Sequence, residues 1–129
     1  MRLYPAIDIK DGQCVRLKKG LFNEVTVYSD KPYEIAKAFE ESGAQFIHTV
    51  DLDGALKGHG VNADTIKKIV SSVNIPVQMG GGIRTLENIK EVLALGVYRV
   101  IIGTKAVENP DFIRQAIEQF GPEHIVVGV

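Results

Sequence analysis

Asp8 lies inside the apolar run Pro5-Ala6-Ile7-Asp8-Ile9, where an ionised side chain is costly unless it faces a polar mouth or finds partners. A carboxyl so placed can have a raised pKa and serve as a general base or acid; the alternative is a strand-end aspartate that caps a loop. Asp51 and Asp53 share one face if they lie on a strand, and that pairing can be read as a metal site. No third carboxylate or histidine follows at ligand spacing, so structural hydrogen bonds or contacts to substrate hydroxyls are expected in place of a metal. Gly80-Gly81-Gly82-Ile83-Arg84 precedes a helix expected to begin near Thr85, so bare backbone N–H groups and a positive helix end can face an anion. Gly103-Thr104 adds further backbone donors and a hydroxyl. Either motif alone can be a tight turn, whereas both on consecutive strands describe a phosphate cradle. It is not a P-loop, because Ile and Arg follow Gly82 where Gly-Lys-Ser/Thr is required. His48, His59 and His124 are scattered and read as structural. Cys14 has no evident activating partner and reads as inert.

These residues need elements to hold them. Five short apolar runs recur: Pro5 to Ile9, Phe46 to Leu52, Val77 to Met79, Val100 to Ile102, and Ile125 to Val129. They are nearly continuous, which suits parallel strands buried on both faces. Between them lie stripes at helical spacing: Ile35 and Phe39; Ile66, Ile69, Val70 and Val73; Leu86, Ile89, Val92 and Leu93; Phe112, Ile113, Ala116, Ile117 and Phe120. Pro32 and Pro110 suit first helical turns, and Gly43, Gly96 and Gly121 suit helix ends. The order is βαβαβαβαβ, with a longer first connection. There Asp11-Gly12 reads as a turn, and Cys14 to Leu17 and Glu24 to Tyr28 flank Gly20 as a hairpin, expected to form a flap over the site.

A doubly wound sheet and a (β/α)8 barrel both fit this α/β pattern. Eight units need about 250 residues, and four units plus a fifth strand account for this sequence. The expectation is therefore a half-barrel, residues 1–129 forming the N-terminal half of a single barrel domain. Such a half would leave the first strand without its closing neighbour, expose Ile125-Val126-Val127 as an apolar edge, and strip the inner layers from Ile7, Val50, Met79 and Ile101. Self-association is expected to follow.

Composition narrows the function. Hydrophobic residues make up 45% of the chain, enough for a packed core, and the net charge of −1 disfavours nucleic acid or an anionic membrane as partner. No apolar run approaches a membrane span and no signal peptide is evident, so a cytoplasmic protein is expected. One cysteine excludes an internal disulfide framework and a cysteine-built zinc site.

Four motifs, in order, carry a resemblance: Pro5-Ala6-Ile7-Asp8-Ile9-Lys10-Asp11-Gly12 with Val15-Arg16-Leu17, then Val50-Asp51-Leu52-Asp53-Gly54-Ala55, Gly80-Gly81-Gly82-Ile83-Arg84, and Ile102-Gly103-Thr104. Together they resemble the N-terminal half of the ProFAR isomerase family of histidine biosynthesis, (β/α)8 barrels with a phosphate site in each half. The cyclase subunit of imidazole glycerol phosphate synthase shares the Lys-Asp-Gly and triple-glycine signals; the segment Val50 to Ala55 and Arg84 favour the isomerase. The resemblance implies an Amadori rearrangement of an aminoaldose to an aminoketose without metal or cofactor, on a phosphorylated ribose-containing substrate. It assigns Asp8 as base, Gly81, Gly82, Gly103 and Thr104 to a phosphate site, and Arg84 to substrate contact. The partner acid is implied to be an Asp ending the fifth strand, just past Val129, so the chain alone is expected to be inactive. A half-barrel that only binds phosphate remains the alternative outside enzymology.

Overall fold

A computed structural model describes residues 5–18, 21–57, 61–103 and 108–128. Among them the elements are β1 (Ala6–Lys10), β2 (Gln13–Lys18), β3 (Leu21–Ser29), α1 (Pro32–Glu41), β4 (Ile47–Asp51), α2 (Leu52–Lys57), α3 (Ala63–Ser72), β5 (Val77–Gly80), α4 (Leu86–Ala94), β6 (Arg99–Ile102), α5 (Pro110–Phe120), a 3₁₀ turn (Pro122–His124) and β7 (Ile125–Val127).

One sheet contains all the strands, in the order β3-β2-β1-β4-β5-β6-β7. From β1 onward the pairs are parallel, and each helical crossover adds its strand beside the previous one. A doubly wound sheet reverses direction at a switch point; this sheet does not, which is the winding of a barrel. The consequence is one helix-covered face. Ile7, Ile9, Ile47, Met79, Val100 and Ile102 form a single buried cluster with Ala36 of α1, Ile66 and Ile69 of α3, Ile89 of α4 and Ala116 of α5. Alternation along the strands then turns Asp8, His48, Val50, Gln78, Arg99, Ile101 and Val126 toward the opposite, helix-free face, where all are only half-buried. Ile7 and Met79, expected on the inner face with Val50 and Ile101, belong to the helix side. Register decides this, since a shift of one residue exchanges the faces. The helical stripes form as expected, except that Ile117 of α5 is 37% exposed.

The long first connection forms its hairpin, but as part of the sheet. Asp11 (φ 52°) and Gly12 (φ 73°) make a two-residue turn that lays β2 directly on β1, pairing Asp8 with Val15 and Lys10 with Gln13. The hairpin therefore extends the sheet, where a flap was expected, and the C-terminal half of β1 keeps a neighbour. Asp53 also departs from expectation. β4 ends at Asp51, whose Oδ1 accepts from the Gly54 N–H at 2.8 Å and starts α2, so Asp53 lies in a helical first turn.

Candidate functional site

The turn after β5 is built around backbone crowding. Gly81 has φ +98° and Gly82 φ +79°, and a Cβ on Gly81 would collide with the Asp51 carbonyl oxygen and stand 3.1 Å from the Asp51 N and C atoms. Only glycine fits there. The turn then leads into α4 through a capping box: Thr85 Oγ1 accepts from Asn88 N, while Asn88 Oδ1 accepts from the Arg84 and Thr85 N–H groups. At the start of α4 the Thr85 and Asn88 N–H groups are thus satisfied internally. Among the described residues nothing accepts from the Gly82 or Ile83 N–H groups, which leaves those two for a ligand.

Gly81, Gly82, Ile83 and Arg84 line a cleft of about 600 Å³ together with Ala55, Ile101, Gly103 and Glu108. Three of the residues expected at the phosphate site, Gly81, Gly82 and Gly103, therefore meet, together with Arg84, expected as a substrate contact. Thr104, with Lys105 and His59, lies outside the described residues. The exposed Arg84 is steadied by a 3.1 Å bond from Nη2 to the Ala55 carbonyl, and its positive charge stays at the cleft. Glu108 is an addition that sequence reading missed; its carboxylate opposes an anion at its end of the cleft, so the attraction concentrates on the Arg84 and glycine side.

Asp8 is not among the residues lining this cleft. It sits in the row Asp8, Val50, Gly80 across β1, β4 and β5, two strand spacings of about 4.8 Å each from the glycine turn. Burial pushes the Asp8 carboxyl above the usual carboxylate range, against a smaller downward pull from His48. Asp51 behaves differently. Fully buried, it accepts from the N–H groups of Gly54, Val61 and Asn62 and from Asn62 Nδ2, at 2.7 to 3.1 Å. Asn62 also donates from Nδ2 to Asp53 Oδ2 at 3.0 Å and accepts from the Gly12 N–H at 3.0 Å, while Asp53 Oδ2 accepts from the Asp11 N–H at 2.8 Å. Asp51, Asp53 and Asn62 form a latch that pins the β1–β2 turn to the chain after β4, which answers the structural side of the expectation for the two aspartates. Asn62 was missed. Its position just before a helical run signals a cap, yet its side chain makes no cap bond and serves the latch. Among the described residues no group of three His, Cys, Asp or Glu side chains could hold a metal ion. Cys14 is buried, and burial pushes its thiol pKa up, away from reactive thiolate.

Residues 2–129 match the family described as "Histidine biosynthesis protein". The chain belongs to this family. The histidine biosynthesis family is one of (β/α)8 barrels, in agreement with the singly wound sheet. Over its full length the chain is 60% identical to a protein of Lachnoclostridium phytofermentans named 1-(5-phosphoribosyl)-5-((5-phosphoribosylamino)methylideneamino) imidazole-4-carboxamide isomerase. Proteins of the same name from Syntrophomonas wolfei and Rhizobium etli are 53% and 52% identical over all 129 residues. The chain spans about half the length of these relatives: 54%, 53% and 52%. Among the described residues no helix is long and apolar enough to cross a membrane.

Proposed function

We propose that this chain is part of an isomerase that converts ProFAR, an aminoaldose carrying two phosphoribosyl groups, to its aminoketose by an Amadori rearrangement. The observation that carries the reading is the half-buried Asp8 on the helix-free face, two strands from a glycine-lined cleft that holds Arg84. A pentose phosphate can bridge that gap, with its phosphate on the Gly82 and Ile83 N–H groups and Arg84, and its sugar carbons over β4 toward Asp8. Gly103 lines the same cleft and Thr104 is assigned to the phosphate site by the family resemblance, and backbone donors suit a dianion because they carry fixed partial positive charge.

The reaction asks for an acid that protonates the ribose ring oxygen as the ring opens and a base that removes the C2 proton of the resulting imine. Asp8 is the base, its basicity raised by burial. The acid is assigned, from the family resemblance, to an aspartate following the strand that begins at Ile125. The isomerase name of the relatives supports this reading over the cyclase. Joining this chain to the portion of the Lachnoclostridium relative that it does not cover should give a protein that converts ProFAR. A folded chimera without turnover would exclude the reading.

A further inference from the structure

On the helix-free face three polar side chains from consecutive strands join in a row. Register sets His48 of β4 opposite Gln78 of β5, and Gln78 opposite Arg99 of β6. Arg99 Nε donates to Gln78 Oε1 at 2.7 Å, and Gln78 Nε2 lies 3.0 Å from His48 Nδ1. The Arg99 guanidinium is also held over the Phe46 ring, 4.3 Å from its centroid. Chemistry fixes the direction of both bonds. A guanidinium nitrogen can only donate, so the amide atom facing Arg99 is the oxygen. The atom facing His48 is then the NH₂, which also only donates, so Nδ1 must be an unprotonated acceptor and the imidazole proton must sit on Nε2. An imidazolium would set two donors against each other across that bond.

Among the described residues the charged surroundings of His48 are few. Asp8, one row further along β1 on the same face, acts on it directly. Lys10 of β1 is paired with Asp11, Arg16 of β2 lies over the Tyr28 ring of β3 beyond Asp8, and β5 brings no titratable side chain. We propose that Gln78, held by Arg99, is a positioning residue that keeps His48 as the neutral Nε2–H tautomer beside Asp8, so that Asp8 stays the stronger base. A positive charge on His48 would favour the Asp8 carboxylate and lower its basicity. Burial works in the same direction as the amide, pushing the His48 pKa down against the pull of Asp8. The catalytic consequence rests on the isomerase reading; the tautomer is a property of the sheet and is measurable without turnover.

Imidazole ¹⁵N NMR of the 129-residue chain, with His48 assigned by loss of its signals in His48→Gln, tests the proposal. His48 should be protonated at Nε2, bare at Nδ1, and mostly uncharged at a pH of about 6.5, where a free histidine is half charged. Gln78→Glu still accepts from Arg99 but offers a carboxylate to Nδ1–H, so His48 should bind its proton roughly tenfold or more tightly. Gln78→Leu removes both bonds and should release His48 to a mixture of tautomers. A parent His48 that is charged or protonated at Nδ1, or a tautomer and titration unchanged in both variants, would overturn the proposal. In an active chimera, Gln78→Glu should also move the acidic limb of kcat/KM to lower pH and lower its plateau; a limb that stays in place overturns the catalytic consequence. A chimera with no turnover at all counts against the isomerase reading and leaves the tautomer result standing.

Discussion

Asp8 and Asp51 belong to adjacent strands, yet their carboxylates meet opposite surroundings. Asp51 is enclosed by four donors, whereas Asp8 is half-buried and feels mainly desolvation. In the folded chain Asp8 therefore resists ionisation, and burial holds its pKa above the ordinary value of an aspartate. A carboxyl group raised in this way adds stability below its unfolded pKa and loses that advantage as pH rises through its folded pKa. Asp8→Asn stays neutral at every pH, so it should raise the melting temperature near neutral pH, with the gain vanishing in acid below about 4. Thermal denaturation against pH checks this. In an active chimera the same variant should lose turnover by roughly 10²–10⁴-fold with a much smaller change in substrate binding, because it lacks the proton acceptor. Near-normal turnover would place the base elsewhere. Asp8 was legible in the sequence because a charge inside an apolar run needs a reason. The Arg99–Gln78–His48 row was not, although each member is a polar residue at an outward position of a short apolar strand. What hid it is register, the cross-strand alignment that no single segment encodes.

At the level of elements, two loops do most of the positioning, and the latch makes one of them. Asn62 ties Asp51, Asp53 and the Gly12 N–H into one unit, so Asn62→Ala should take one donor each from Asp51 Oδ1 and Asp53 Oδ2 and leave the Gly12 N–H without its acceptor, at a cost of about 1–3 kcal/mol. Urea denaturation gives the loss, and faster amide exchange at Gly12 would locate it in the β1–β2 turn. The glycine turn is the other. Gly81→Val should lower stability by roughly 1–3 kcal/mol because of its positive φ, with additional strain against the Asp51 backbone. It should also displace the Gly82 and Ile83 N–H groups and weaken ribose 5-phosphate binding; calorimetric titration with unchanged affinity would remove this turn from the phosphate site. The triple glycine and the helix start near Thr85 were readable because turn and cap chemistry is local. α2 escaped reading: Asp51 ends an apolar run and caps the next turn at once, so Asp53 looked like the next strand position.

For the whole molecule, the decisive feature is a sheet covered by helices on one side only. Its helix-free face carries Val50, Ile101 and Val126 beside the polar row, and all remain only half-buried. The outermost strands are β3 and β7, where Val27 is 49%, Tyr28 40% and Val127 45% exposed. Among the described residues each has a neighbour on one side only, and unpaired edges beside apolar surface favour pairing with another chain. β2 protects only the C-terminal half of β1, and the hairpin moves the open edge outward without closing it. The 129-residue chain prepared by itself should therefore associate at micromolar concentration, and multi-angle light scattering should find dimers or larger species. Val127→Lys should shift the population toward monomer, since an edge lysine opposes strand addition. The same chain should not isomerise ProFAR. The rearrangement needs two carboxyl groups in contact with one sugar, and Asp51 and Asp53, at the end of the strand beside β1 and just after it, are committed to the latch, where their oxygens accept backbone and Asn62 donors. Protonating either one would break the bonds that hold the β1–β2 turn. A stable monomer, or turnover by this chain alone, would require that a single helix-backed half-sheet closes its own edges and supplies its own acid, contrary to the arrangement described.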